Sequence, residues 1–171
     1  MKYRFYAEFL QNTGSFAVVA WIIQIFIKRK WNHIEFVAVP DDPNFPILYY
    51  GAVSPRFRQT TLPEIRKKYR VMKRIELFRQ PGFENKTDLD ILKTAHSFIG
   101  TKYAYDQNLV LMFMACIEWL KRALARAKIN EEKEMNCTEA FARIASMGFG
   151  YVFRTSFDMT EFEDIIKSLE V

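Results

Sequence analysis

The chain has little cysteine and little histidine, two of each in 171 residues. Cys116 and Cys137 are too few for a disulfide framework, and His33 and His96 lie too far apart in sequence to complete a metal knuckle. No cofactor and no metal is therefore expected. Unpaired thiols fit a reducing compartment, with the cytoplasm favoured. Six Gly and six Pro, with no repeat and no biased tract, exclude a low-complexity or disordered chain.

Long apolar runs are also missing. FAVVAWIIQIFI (16–27) and LVLMFMACIEWL (109–120) are twelve residues each, against the roughly 20 that a helix needs to cross a bilayer. The basic cluster Lys28-Arg29-Lys30 follows the first run instead of preceding it, and no small-residue cleavage site comes after, which excludes a signal peptide. Both runs read as buried helices, with contact at a membrane surface as the second reading.

What is present is a globular composition: 50% apolar, 26% charged, and long enough for one domain with a sizeable core. The net charge of +5 is unevenly spread. Between Arg56 and Arg79 nine Lys/Arg stand against Glu64 and Glu76, a local +7. No nucleic-acid motif with interleaved aromatics accompanies this block, so a solvated basic face is preferred over a nucleic-acid surface.

Along the chain, Asn12 or Ser15 can cap a helix over about 15–29, and IEFVAV (34–39) then reads as a strand. DDPNFP (41–46) is turn chemistry leading into a second strand, ILYYGA (47–52), which completes a hairpin. Pro63 starts a short basic helix ending near Tyr69, and VMKRIELF (71–78) alternates as a third strand. Thr87 with Asp90 opens a helix with an apolar face of Leu89, Leu92, Ala95 and Ile99, closed by Gly100, and His96 falls on or beside that face.

A long helix over 108–128 follows, then a helix from Cys137 to Gly148, a strand over YVFRTS (151–156), and a last helix capped by Thr160 and Glu163. Strands come early and helices late, which predicts an α+β fold with helices packed on an antiparallel sheet.

The chemistry concentrates at MNCTEAF. Asn136 is a good N-cap, Cys137 takes the first helical position, and Glu139 stands third, where its carboxylate can reach back to the cap. The thiol then faces the positive end of a helix, where a thiolate is stabilised and nucleophilic. Its base must come from elsewhere, from His33 at a strand start or His96 within a helix. Cys116, among Met112, Phe113 and Leu120, reads as core.

Three motifs in order resemble the circularly permuted papain-like cysteine hydrolases related to the NlpC-type cell-wall peptidases. WNHIEF (31–36) is similar to their Ser-His-Val-Gly-Ile strand, GTKY (100–103) to their Gly-x-x-Tyr turn, and NCTEAF (136–141) to their Cys-Ser-Glu nucleophile helix. The resemblance spans roughly 30–150 and implies a permuted papain-like fold.

It implies Cys137 as nucleophile, His33 as general base, Tyr103 as a hydroxyl donor near the oxyanion or substrate, and the Cys137 backbone N–H as a further oxyanion donor. The group usually carries a Glu, just before an Ala, in the strand after the histidine. Here that position is Gly51 in YYGA, with Tyr50 adjacent. Glu35, two residues from His33 and on the same strand face, can substitute as the residue that orients the imidazole.

The implied activity is hydrolysis of an amide in a peptide or cell-wall stem. A lipid acyltransferase or thioesterase on the same fold is the alternative, motivated by the two apolar runs. A third is a non-catalytic scaffold that binds through the basic 56–79 block.

Overall fold

The structure is a computed structural model that describes residues 2–13, 31, 33–53, 55–103, 134–153 and 162–170. The helices expected over 15–29 and 108–128, residues 154–156 of the strand expected over 151–156, Cys116 and Thr160 lie outside the described residues.

Alternating side chains build the first two strands. β1 (Tyr3–Asn12) turns Phe5, Ala7 and Phe9 to one face, and β2 (His33–Pro40) turns Ile34, Phe36 and Ala38 to the same face, where all six are buried. The expected hairpin places β3 (Leu48–Val53) against β2, and β4 (Arg56–Thr61) continues the meander. A basic helix, α1 (Leu62–Lys68), has Pro63 in its first turn, where a missing N–H costs nothing, and leads directly into β5 (Tyr69–Glu76).

Helix α2 (Asp88–Ser97) starts from the full Thr87/Asp90 capping box, and β6 (Lys102–Tyr103) and β7 (Glu134–Met135) are two-residue strands. Helices α3 (Cys137–Phe149) and α4 (Phe162–Leu169) complete the described elements.

Among the described residues the strands form one sheet in the order β5-β1-β2-β3-β4-β6-β7. Every pairing is antiparallel except β6 with β7, which is parallel. Helices packed on a mainly antiparallel sheet make the fold α+β, as the order of elements predicted.

The two faces of the sheet are covered differently. Helix α3 packs the Phe5/Ile34/Phe36 face through Ala140, Phe141 and Ile144, with α2 behind it. Each large apolar side chain buried here contributes on the order of 1.5–3 kcal/mol. On the opposite face Leu10, Val37 and Tyr49 are covered by Ile65 of α1 and by Tyr69.

Several boundaries differ from the pattern reading. Strands β1 and β4 go beyond the expected elements. Tyr151–Phe153 is not a strand: the Tyr151 N–H donates to the Ala145 carbonyl and its hydroxyl accepts from the Phe78 N–H, so Tyr151 finishes α3 instead of pairing along an edge. Helix α3 runs through Gly148 and stops at Gly150, whose φ of 84° is a left-handed turn. In α2 the inward stripe is Ile91 and Ala95, while Leu89 and Ile99 point outward and His96 is exposed in the last turn.

Candidate active site

On β2 the residues that alternate with the core positions are His33, Glu35 and Val37. His33 and Glu35 therefore leave the strand on the same side, and the Glu35 Oε1 lies 2.7 Å from the His33 Nε2. Both are buried. Leu10 of β1 pairs with His33, and Tyr69, at the end of α1, stacks its ring on the imidazole with centroids 5.1 Å apart and planes at 27°.

The position of the Glu35 carboxylate depends on β3. The register that pairs Phe36 with Tyr50 carries on to set Glu35 opposite Gly51. A Cβ on Gly51 would overlap the carboxyl group of Glu35. The strand that follows the histidine thus supplies no side chain at this point, and the headgroup of Glu35 fills the room.

The nucleophile candidate arrives from the other end of the sheet order. β7 pairs in parallel with β6, setting Tyr103 beside Met135, two residues before Cys137. Asn136 then caps α3: its Oδ1 accepts from the Glu139 N–H at 2.8 Å and from the Thr138 hydroxyl at 2.7 Å. Cys137, the first residue of α3, is a free, buried thiol among the first-turn N–H groups, which have no partner inside the helix. His33 is the first residue of β2, and Cys137, the first residue of α3, is among the neighbours that act on its ring.

Burial alone would lower the His33 pKa. Hydrogen bonds to Cys137 and Glu35, and the negative charge of both, outweigh it and hold the pKa well above the ordinary histidine value. With Nε2 engaged by Glu35, Nδ1 is the nitrogen left for the thiol. The arrangement is a carboxylate hydrogen-bonded to a protonatable ring, with a sulfur as a second neighbour acting on that ring. It can move a proton between sulfur and nitrogen while the ring is kept from turning.

The other expected site residues fall as follows. Tyr50 projects to the opposite sheet face and packs on Phe36, ring centroids 6.1 Å apart, in the core. Tyr103 is half-buried on β6 against the main core, on the strand next to the one that delivers Cys137. Glu139 is buried at the third position of α3, and its Oε1 accepts from the Arg143 Nη2 at 2.8 Å, one turn further along.

The basic block is divided. Arg74 pairs with the buried Glu8, Arg79 with Asp88 and Lys73 with Glu170, whereas Arg66, Lys67, Lys68 and Arg70 are exposed around the end of α1.

Two contributors have no motif to announce them. Tyr69 reads in sequence only as a helix end, and Gly51 reads as a missing carboxylate. The signal available for the latter is the pairing arithmetic of a short hairpin, which sets residue 51 beside residue 35. Cys137 is 7% exposed and His33 6%. No family model matches the chain, and no curated protein matches it.

Proposed function

We propose that the protein is a cysteine hydrolase of peptidase or amidase type. The observation that carries this reading is the buried Glu35–His33 hydrogen bond of 2.7 Å, with Cys137 at the start of α3 as the other group that raises the His33 pKa. These are the roles that thiol-based acyl transfer requires: a nucleophile, a base within reach, and a group that orients the base.

In this reading His33 takes the thiol proton and the Cys137 sulfur attacks a carbonyl carbon. The carbonyl π electrons move onto oxygen, beside the Cys137 N–H at the helix start. Collapse of that intermediate breaks the C–N bond, and the His33 imidazolium gives its proton to the leaving amine. A thioester remains. Water, deprotonated by His33, attacks the thioester, releases the acid and returns the proton to sulfur.

The substrate class, an amide in a peptide or cell-wall stem, comes from the resemblance to the permuted NlpC-type group. The one departure from that pattern at the base, Gly51 in place of Glu, is answered by a carboxylate that occupies the same volume from the neighbouring strand. That supports an intact site over a decayed scaffold.

The test is iodoacetamide alkylation of Cys137 over a range of pH, with Cys116→Ser as background, with and without His33→Ala. Rapid alkylation at pH 6–7 that is lost in His33→Ala is the expected result, and a panel of peptide amides, lipid esters and thioesters then separates hydrolysis from lipid acyl transfer. Slow alkylation that does not depend on His33 overturns the reading.

A further inference from the structure

We infer that the side-chain amide of Asn136 is an oxyanion donor of this site, working beside the Cys137 N–H. The inference rests on the hydrolase reading and adds a residue to it. Asn136 is 1% exposed, and its Oδ1 accepts two hydrogen bonds, from the Glu139 N–H and the Thr138 hydroxyl. Only the oxygen of an amide can accept from an N–H, so the orientation of the group is set and a flipped amide is excluded.

The Nδ2 is then the end left over. It is buried and has no partner among the described residues. A buried amide donor without an acceptor costs roughly 1–3 kcal/mol, and native structures keep such groups where they serve a purpose. Capping does not supply the purpose. A cap needs an acceptor oxygen, which Ser, Thr or Asp would provide without stranding a donor.

The stranded donor belongs to the residue bonded directly to the nucleophile. A carbonyl attacked by the Cys137 sulfur develops its negative charge at the helix start, where the Cys137 N–H and the N-cap residue that carries this amide both stand. The ligand is therefore the oxyanion of a tetrahedral intermediate formed from an amide or ester carbonyl. The Asn136 amide and the Cys137 thiol are both buried at the start of the same helix.

The experiment compares two reactions of one thiol in the Cys116→Ser background. Iodoacetamide alkylation proceeds by displacement and forms no oxyanion, whereas acylation by p-nitrophenyl acetate forms one. Asn136→Ser keeps a capping oxygen and removes the donor. The expected result is acylation slowed about 10²–10³-fold, with alkylation within about threefold of the parent and thermal unfolding within a few degrees.

Acylation that falls no further than alkylation overturns the inference and leaves the hydrolase reading standing. A parent protein that is not acylated at all overturns both. If Asn136→Ser does not fold, Asn136→Asp retains both accepted hydrogen bonds and the shape. Acylation must then fall at least as far as stated for Ser, and parent-like acylation overturns the inference.

Discussion

The carboxylate of Glu35 lies in the volume that a side chain on Gly51 would occupy. One residue is thereby defined by the other: Glu35 can orient His33 because the adjacent strand is bare at that point. Gly51→Ala forces the carboxylate aside. Overpacking of this kind costs about 1–3 kcal/mol, read from urea unfolding, and the displaced partner slows His33-dependent alkylation by about tenfold, one pKa-unit equivalent of interaction.

The same relationship predicts a transplant. Glu35→Ala removes the partner of His33, and adding Gly51→Glu returns a carboxylate to the vacated room from β3. The double variant recovers His33-dependent alkylation that Glu35→Ala loses. Equal rates in the two would show that the room, and not the strand that fills it, has been misidentified.

Glu35→Gln keeps the size and a polar contact to the ring but deletes the charge. The His33 pKa, raised in part by that charge, moves down, and imidazole NMR titration of the variant shows it. Because burial already opposes the charged ring, the imidazolium is then favoured by Cys137 alone. Acylation by an activated ester falls by roughly 10-fold, less than the about 10²–10⁴-fold of a general base itself, because Glu35 acts only through His33.

Stability should carry the mark of His33 as well. Its folded pKa lies above the unfolded value, so the protonated ring contributes stability that is full below the unfolded value of about 6.5 and is lost as pH rises through the folded value. The gap in unfolding free energy between the parent and His33→Gln is thus widest below that point and closes on the alkaline side. A gap that stays constant from pH 6 to pH 10 contradicts the assignment.

A further prediction concerns the frame next to the site. Glu8 is fully buried on β1, opposite Glu35 in register, and its Oε1 is held by the guanidinium of Arg74. Arg74→Met leaves a buried carboxylate without its cation. Removing one partner of a fully buried pair costs about 3–5 kcal/mol, and since Arg74 is 40% exposed the expected loss lies below that range, at roughly 2 kcal/mol in urea unfolding. The Glu8→Gln/Arg74→Met pair recovers part of it.

Much of the frame was legible in sequence. β2, β3, α1, α2 and α3 announce themselves through alternation, Pro63, the Thr87 box and the Asn136 cap, because local chemistry alone decides those boundaries. β1 and β4 were not seen for a physical reason. β1 is buried on both faces, with Tyr6 and Leu10 opposing Phe5 and Phe9, which blurs its period, and Phe57 is the one apolar residue in β4. Tyr151 has the composition of a strand residue, but its hydrogen bonds go to the end of α3.

At the site, the pairing of His33 with Glu35 follows from a spacing of two on a strand. Tyr50, an alternative without a carboxylate, is ruled out by register: it pairs with Phe36 and so points to the other face of the sheet from Glu35. What no single segment reveals is how a glycine in one strand admits a carboxylate from the next, or that a tyrosine at a helix end covers the imidazole. Both are facts of register between segments.

The parallel pairing of β6 with β7 has a consequence for how the molecule comes into being. His33 and Glu35 are synthesised about a hundred residues ahead of Cys137, and the thiol reaches them only when β7 has docked at the far edge of the sheet. Contacts of such wide sequence separation are slow to form, because the loop-closure entropy is met before the contact is made. The newborn chain therefore carries His33 and Glu35 long before Cys137, and their meeting is a property of the finished fold.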